Sequence, residues 1–141
     1  MSEVYDSGLD LIAQGPETLL DTELWVLLVT NAYVFDRTGH ATVADLVAQE
    51  LGVGGYARQG LADKTLSAGA AVRTLRAADS DWGDLVAGET IGGAVVYRRG
   101  VDDASSTLVA FHVPPAGIPT NGGGVVTEWP NGVVRFNAVP A

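Results

Sequence analysis

The chain has 141 residues, the length of a single domain, and 47% of them are hydrophobic while only 18% are charged. Its formal net charge is −9, and it contains no cysteine. The negative charge argues against binding a nucleic acid through phosphate neutralisation. The absence of cysteine excludes disulfide frameworks and cysteine-based metal sites. We therefore expect a single domain, residues 1–141, with no nucleic-acid partner.

The first half of the chain predicts two short helices. Ser7 is placed to cap a helix that runs to Ala13 and is stopped by residues 15–16. Thr42 and Asp45 have the form of a capping box, and apolar residues then recur at helical spacing up to residue 51.

Most of the remaining chain predicts strands. Residues 23–30 are apolar on both faces, which is typical of a central strand. We expect a loop at residues 31–40 and another at 78–88, the second anchored by Trp82. Asn131-Gly132 predicts a hairpin between the last two strands. The other predicted strands are residues 55–61, 64–68, 70–77, 90–98, 106–113, 124–128 and 133–139.

The spacing of these elements predicts a mainly β fold. We expect a β-sandwich or a small barrel of about seven to eight strands, decorated by the two helices. Gly92-Gly93, inside a strong strand pattern, predicts a bulge or a close backbone crossing. Strict alternation in residues 106–113 places Leu108, Ala110 and His112 on one face.

The residue types that carry chemistry do not assemble into a recognisable site. Neither histidine, His40 or His112, accompanies a nucleophile motif, so we expect no catalytic residue. His112 is interpreted as a strand histidine satisfied by a backbone or solvent hydrogen bond. Asp36 and His40 alone fall short of the four ligands of a structural metal site. The glycine clusters lack the lysine of a phosphate-binding loop, so we expect no cofactor.

Two clusters keep alternative interpretations. Asp79, Asp81 and Asp84 fail the spacing of a calcium-binding loop, which leaves either a weak cation site or an Asp-rich turn that caps its own backbone. We assign no metal site. The aromatic residues either line a sugar pocket or serve as core and interface anchors; they are Trp25, Trp82, Trp129, Tyr56 and Tyr97.

The distribution of charge and apolar residues also bears on partners. Residues 1–50 contain nine acidic residues and one basic residue, Arg37. This acidic third predicts either a charge-steered contact or a solvated face. The longest apolar run, residues 24–29, is far shorter than the ~20 residues that span a bilayer, so we expect no membrane insertion. The acidic start of the chain predicts neither a secretory signal nor a transit peptide.

Several stretches together resemble a family of small virion structural proteins encoded by tailed bacteriophages. The resemblance covers residues 5–136. It rests on residues 22–36, His40, residues 50–56, Gly60-Leu61, Asp81-Trp82, residues 94–97 and residues 108–111.

The resemblance implies a structural component of the virion, assembled in the cytoplasm of the bacterial host and without enzymatic activity. It implies a capsid decoration or minor capsid protein that forms a homo-oligomer and binds the major capsid protein. One alternative is a tail-tip or tail-fibre-associated structural protein that contacts other tail proteins. The other is a carbohydrate-binding β domain that uses its tryptophans.

The N-terminal segment, residues 1–16, is the predicted place of contact with neighbours. We expect it either to lie along a neighbouring chain as a latch or to pack on its own domain. The predicted interface residues are Val4, Tyr5, Leu9, Ile12, Tyr33, Phe35, Trp82 and Trp129.

Overall fold

The computed structural model describes residues 2–13, 23–69, 72–114, 116–129 and 133–137. Strands dominate these residues, which confirms the predicted mainly β fold. The described part contains one α-helix, α1 (Asp6–Ile12), and three 3₁₀ turns. Its strands are β1 (Ser2–Val4), β2 (Leu24–Thr30), β3 (Gln59–Gly60), β4 (Thr65–Gly69), β5 (Val72–Arg76), β6 (Ser80–Asp84), β7 (Thr90–Arg98), β8 (Thr107–His112), β9 (Ile118–Pro119), β10 (Gly124–Thr127) and β11 (Val134–Asn137).

The strands form three antiparallel sheets. The large sheet has the order β1-β8-β7-β2-β3, and β9 pairs with the start of β7. The two small sheets have the orders β11-β5-β4 and β10-β6. The sheets stay open, and the described strands close no barrel. The predicted central strand is confirmed, since β2 lies between β7 and β3.

The large sheet is buried on both faces, which explains why β2 is apolar throughout. Alternate residues of β2 contribute to two separate apolar clusters. The sandwich core lies between the large sheet and the small sheets and includes Leu24, Val26, Leu28, Leu75, Trp82, Leu85, Val96 and Trp129. The N-terminal core covers the opposite face and includes Tyr5, Leu27, Val29, Tyr33, Val43, Leu46, Val95 and Phe111, with Phe35 at its margin.

Gly92 and Gly93 lie where backbones approach closely, as predicted. The pairing of β2 with β7 shifts by one residue here, and Gly92 is the extra residue. A Cβ atom on Gly92 would lie 2.5 Å from the carbonyl oxygen of Thr30. One on Gly93 would collide with the ring of Phe111. Glycine is therefore needed at both positions for steric reasons.

A second bulge corrects the face assignment predicted for β8. Val109 is the bulged residue, because neighbouring residues of β7 pair with Leu108 and Ala110. Strict alternation placed Leu108 with Ala110 and His112. The bulge turns Leu108 to the other face, where it packs with Phe111 in the N-terminal core.

The prediction of a second helix after Thr42 is wrong, because this segment forms two separate 3₁₀ turns. The Asp45 carboxylate accepts the backbone N–H of Thr42 at 3.0 Å, as a capping box requires. It opens only a 3₁₀ turn, Val43–Asp45, and another follows at Val47–Gln49. The backbone of Leu46, with φ −126° and ψ 2°, interrupts the helix between them. The helical spacing therefore reflects two short turns anchored on the N-terminal core.

The first helix begins earlier than predicted. Ser7 lies inside α1, and its Oγ donates to the carbonyl oxygen of Leu108 at 2.8 Å instead of capping the helix. Residues 15–16, the predicted stop, lie outside the described residues.

Predictions for three strand regions also need correction. The predicted loop at 78–88 contains strand β6, although Trp82 is its buried anchor as expected. The predicted strand at 55–61 is reduced to the two residues of β3. The hairpin is wrong, since β10 pairs with β6 and β11 with β5. Trp129, which follows β10, is buried in the sandwich core, and residues 130–132 lie outside the described part.

Candidate functional site

The N-terminal arm, defined as residues 2–13, packs on the chain's own domain. Strand β1 adds antiparallel to the edge of β8, and the Tyr5 N–H donates to the carbonyl oxygen of Val109 at 3.1 Å. Helix α1 lies so close to β8 that a Cβ atom on Gly8 would collide with Val109. Of the two predicted arrangements, the structure shows packing on the same domain. A latch onto a neighbouring chain stays a prediction.

Tyr5 anchors the arm through a hydrogen-bonded chain of side chains. Its ring is completely buried and lies 4.9 Å from the ring of Phe35. Its hydroxyl lies 2.6 Å from that of Tyr33, which in turn lies 3.0 Å from His40 Nδ1. Burial raises the pKa of both tyrosines above the ordinary value, and their mutual hydrogen bond adds to the rise for Tyr5. Both hydroxyls therefore stay protonated and hold the arm in place.

Carboxylates surround this anchored arm. Arg37 contacts Glu3 at 3.3 Å through its side chain, and its carbonyl oxygen accepts the backbone N–H of Asp6 at 3.1 Å. The charges of Asp36 and Asp45 both contribute to the raised pKa of the Tyr33 hydroxyl, after burial, which is the main cause. We call the acidic residues of the arm and of the segment 36–45 the acidic layer. They are Glu3, Asp6 and Asp10 on the arm, and Asp36 and Asp45 on the segment.

A second polar cluster lies around Arg58. Its guanidinium donates to both oxygens of Glu50, at 2.8 and 2.7 Å, and to both oxygens of Asp103, at 2.7 and 3.2 Å. Tyr56 donates to Glu50 at 2.6 Å and accepts the backbone N–H of Leu28 at 3.1 Å. Arg58 holds the pKa of Asp103 below its usual value, and burial raises the pKa of Tyr56.

The Arg58 cluster serves as a structural clamp. All five N–H donors of a guanidinium lie in a fixed plane, which suits two carboxylates on opposite sides. Through them Arg58 ties the segment that carries Glu50 to the 3₁₀ turn Asp103–Ser105, and Tyr56 ties it to β2. Sequence reasoning missed the cluster because its charged members are eight and 45 residues from Arg58.

His112 is a half-buried strand residue bonded to backbone, which confirms its predicted interpretation. Its Nε2 lies 2.7 Å from the carbonyl oxygen of Val133, so this nitrogen carries the proton. The His112 ring packs against the Trp129 ring in an edge-to-face arrangement, with the ring centroids 4.8 Å apart. Burial lowers the pKa of His112 to about 4, although the bond to Val133 acts in the opposite direction.

We expect the His112→Gln variant to lose most of the pH dependence of stability between pH 6.5 and pH 4. In the unfolded chain the imidazole takes up a proton near its ordinary pKa of 6.5, while the folded state resists until about pH 4. The unfolded state therefore binds more protons in this window, and stability falls as pH decreases, by up to about 3 kcal/mol. Glutamine keeps an N–H donor without titrating.

Urea unfolding of both proteins across this pH range measures the effect. Below pH 4 the two curves should run in parallel, since carboxylates such as Asp103 then dominate the loss of stability. Equal slopes for the two proteins between pH 6.5 and pH 4 would contradict this role of His112.

Three of the side chains considered as metal ligands each make a hydrogen bond to a different partner in the protein. Asp36 accepts the backbone N–H of Gly39 at 2.9 Å, whereas His40 bonds to Tyr33. Asp81 accepts the backbone N–H of Gly83 at 2.9 Å, the local capping expected of an Asp-rich turn. Within the described ranges, no three His, Cys, Asp or Glu side chains are grouped to hold a metal ion.

The predicted interface residues fall into different environments. Tyr5, Tyr33, Trp82 and Trp129 are at most 8% exposed, so the single chain covers them with its own residues. Leu9 is 46% exposed on α1. Val4 and Phe35 are half-buried, and the side chain of Ile12 lies outside what the structure describes. The interface itself stays a prediction, and the four buried residues act here as core anchors.

Comparisons with protein-family models, with curated proteins and with solved structures find no match for this chain. No helix in the described residues is long and apolar enough to cross a membrane. The resemblance to tailed-phage virion proteins therefore stays a prediction.

Proposed function

We propose that this chain is a non-enzymatic structural protein of a tailed-bacteriophage virion. In this proposal it is a capsid decoration or minor capsid protein that stabilises the assembled head. It does so through contacts with the major capsid protein and with copies of itself.

The acidic layer is the observation that carries the proposal. Its carboxylates lie on the arm and on the segment 36–45, and these two parts of the chain meet where Arg37 contacts Glu3 and Asp6. Arg37 is the one base in these two segments, and it is already paired with Glu3. A surface of one charge sign on a rigid scaffold favours docking on a complementary surface. On a particle with many identical sites, weak contacts of this kind add through effective concentration.

The use of the other polar groups supports a scaffold role. Arg58 is held by two carboxylates, and His112 is bonded to backbone with its pKa lowered. Asp81 caps its own turn. These groups hold the fold together, and each does so with partners from the same chain.

The two alternatives differ in their support. A tail-tip or tail-fibre-associated role would use the same scaffold and differ in copy number and position on the particle. The carbohydrate-binding alternative depends on ring faces open to a sugar, and Trp82 and Trp129 are 4% and 6% exposed. We therefore retain the tail role as the alternative.

Binding of charge variants to purified phage heads tests the proposal. We expect Asp10→Asn with Asp36→Asn to weaken binding by roughly tenfold at low ionic strength. The effect should shrink as salt is added, because exposed charges are screened. Asparagine at position 36 keeps the oxygen that accepts the Gly39 N–H.

The matched control removes two charges from the other side of the large sheet. Asp79→Asn with Asp84→Asn alters exposed residues in and next to β6, whose Trp82 packs in the sandwich core. We expect this variant to bind like the original chain. Equal weakening by both double variants, or no binding of the original chain to heads, would count against the proposal.

A further inference from the structure

The N-terminal arm fills a groove that the rest of the chain leaves at the edge of the large sheet. Strand β1 pairs with β8 through Ser2↔His112, Glu3↔Phe111 and Val4↔Ala110. Tyr5 then enters the N-terminal core, where no part of its side chain reaches solvent. Without the arm, this edge of β8 and the site occupied by Tyr5 would be uncovered.

The arm has little structure of its own to contribute. Helix α1 has seven residues, contains Gly8 and lacks a side-chain N-cap. A helix this short is unstable alone in water, and a glycine inside it lowers its stability further. The arm therefore depends on packing in the groove for its structure. In turn, the arm covers the edge of β8 and fills the Tyr5 site.

The body also makes polar contacts with the arm at the rim of the groove. The arm carries three acidic residues and no basic one. At the rim of the groove, Arg37 binds Glu3 through its side chain and accepts the N–H of Asp6 through its backbone. Strand pairing, burial of Tyr5 and these hydrogen bonds together identify the occupant of the groove as this segment.

We infer that neighbouring copies of the chain exchange their N-terminal arms, so that the arm of one copy fills the groove of the next. Every contact between arm and groove is the same within one chain or between two, so exchange creates no new interface to optimise. The inference rests on the proposed function for one point, that copies stand side by side on the particle. It identifies the partner of the groove as a second copy of this chain.

The chain length between arm and body permits the exchange. Nine residues lie between Ala13 and Glu23. Their contour length is at most about 35 Å, from ~3.3–3.6 Å per residue. A domain of this size has a diameter of roughly the same length. The arm of one copy can therefore reach the groove of a copy in contact with it.

An engineered disulfide between arm and groove distinguishes an arm bound to its own chain from an arm bound to a neighbouring chain. The chain contains no cysteine, so no native thiol competes with an introduced pair. Val4 and Ala110 are register partners in β1 and β8, and the hydrogen bond at Tyr5 makes them a non-hydrogen-bonded pair, with their side chains close. We expect V4C/A110C, refolded at high concentration and then oxidised, to give disulfide-linked dimers and larger ladders. Refolding at low concentration should give mainly a monomer with an internal disulfide.

Two further variants make the result decisive. R98C/T107C joins β7 to β8 within the body, where the two side chains already contact each other at 3.2 Å, and should give monomers at every concentration. E3C/R37C, joined by a short bismaleimide, replaces an exposed ion pair and leaves the cores intact, so it repeats the test if V4C/A110C does not fold.

Internal links alone, in free protein at all concentrations and in protein bound to phage heads, would overturn arm exchange. Head binding with purely internal links would leave the proposed function standing. Exchange without head binding would support the inference while contradicting the proposed function.

Discussion

Replacing Arg58 by alanine is expected to lower the free energy of unfolding by about 3 kcal/mol. The substitution removes hydrogen bonds to both Glu50 and Asp103 and leaves Glu50, with a side chain only 12% exposed, without its cation. Removing one partner of a buried ion pair costs more than the pair contributes, since the remaining charge stays desolvated. The midpoint of urea unfolding, at unchanged slope, measures the loss.

Arg37→Ala is the matched control for this prediction. Arg37 also pairs with a carboxylate, but its side chain is 52% exposed, so we expect a loss below about 1 kcal/mol. Arg58→Lys should fall between the two, because lysine restores the charge without the planar donors. Equal effects of Arg37→Ala and Arg58→Ala would contradict the clamp.

The Arg58 clamp also predicts a pH dependence. Its pairing lowers the pKa of Asp103, so this contribution is present above the unfolded pKa of about 3.8 and is lost as pH falls through the lowered value. The stability difference between the original chain and Arg58→Ala should therefore narrow below about pH 4.

Tyr5→Ala is expected to destabilise the chain by about 3–5 kcal/mol. The change empties a fully buried site that is shared with Phe35 and removes a partner of the Tyr33 hydroxyl. Tyr5→Phe keeps the ring and should cost only about 1 kcal/mol, since the Tyr33 hydroxyl still has His40. Chemical unfolding of the three proteins measures both losses.

Leu9→Ala provides the control within the same helix. Leu9 is 46% exposed, so its truncation should change stability by about 0.5 kcal/mol or less. A loss for Tyr5→Ala no larger than that for Leu9→Ala would show that the arm is not anchored through Tyr5.

The long strands were predictable because their patterns are local. Residues 23–30 are apolar on both faces since the large sheet is covered on both faces, and β2 occupies all but the first of them. Residues 90–98 were predicted with their final bounds, and Gly92 marks a real bulge. These features depend on the period of the sequence and on steric limits within a few residues.

The corrected features depend on contacts between distant segments. The bulge at Val109 turns Leu108 to the other face, and nothing in the alternation of β8 signals it. Asn131-Gly132 predicted a hairpin between the last two strands. In the structure β10 pairs with β6 and β11 pairs with β5 instead. Pairing with strands far away in the sequence therefore overrides the local turn signal here.

The candidate site was predictable in charge but not in arrangement. The excess of acidic residues in the first 50 positions predicted a charged surface in this part of the chain, and five of these residues belong to the acidic layer. Aromatic content could not reveal that Tyr5 and Tyr33 turn inward to form a hydrogen-bonded chain with His40. Burial is set by the fold as a whole, so residue type alone does not separate a core anchor from an interface anchor.

Counting the copies of this chain in purified virions tests the central claim most directly. Quantitative mass spectrometry, with the major capsid protein as the internal standard, gives the ratio of the two proteins. A decoration or minor capsid role predicts copies in numbers comparable to the capsid subunits or to a fixed fraction of them set by the symmetry of the head. Only a few copies per particle, located at one end, would contradict that role and favour the tail, and absence from the virion would contradict both.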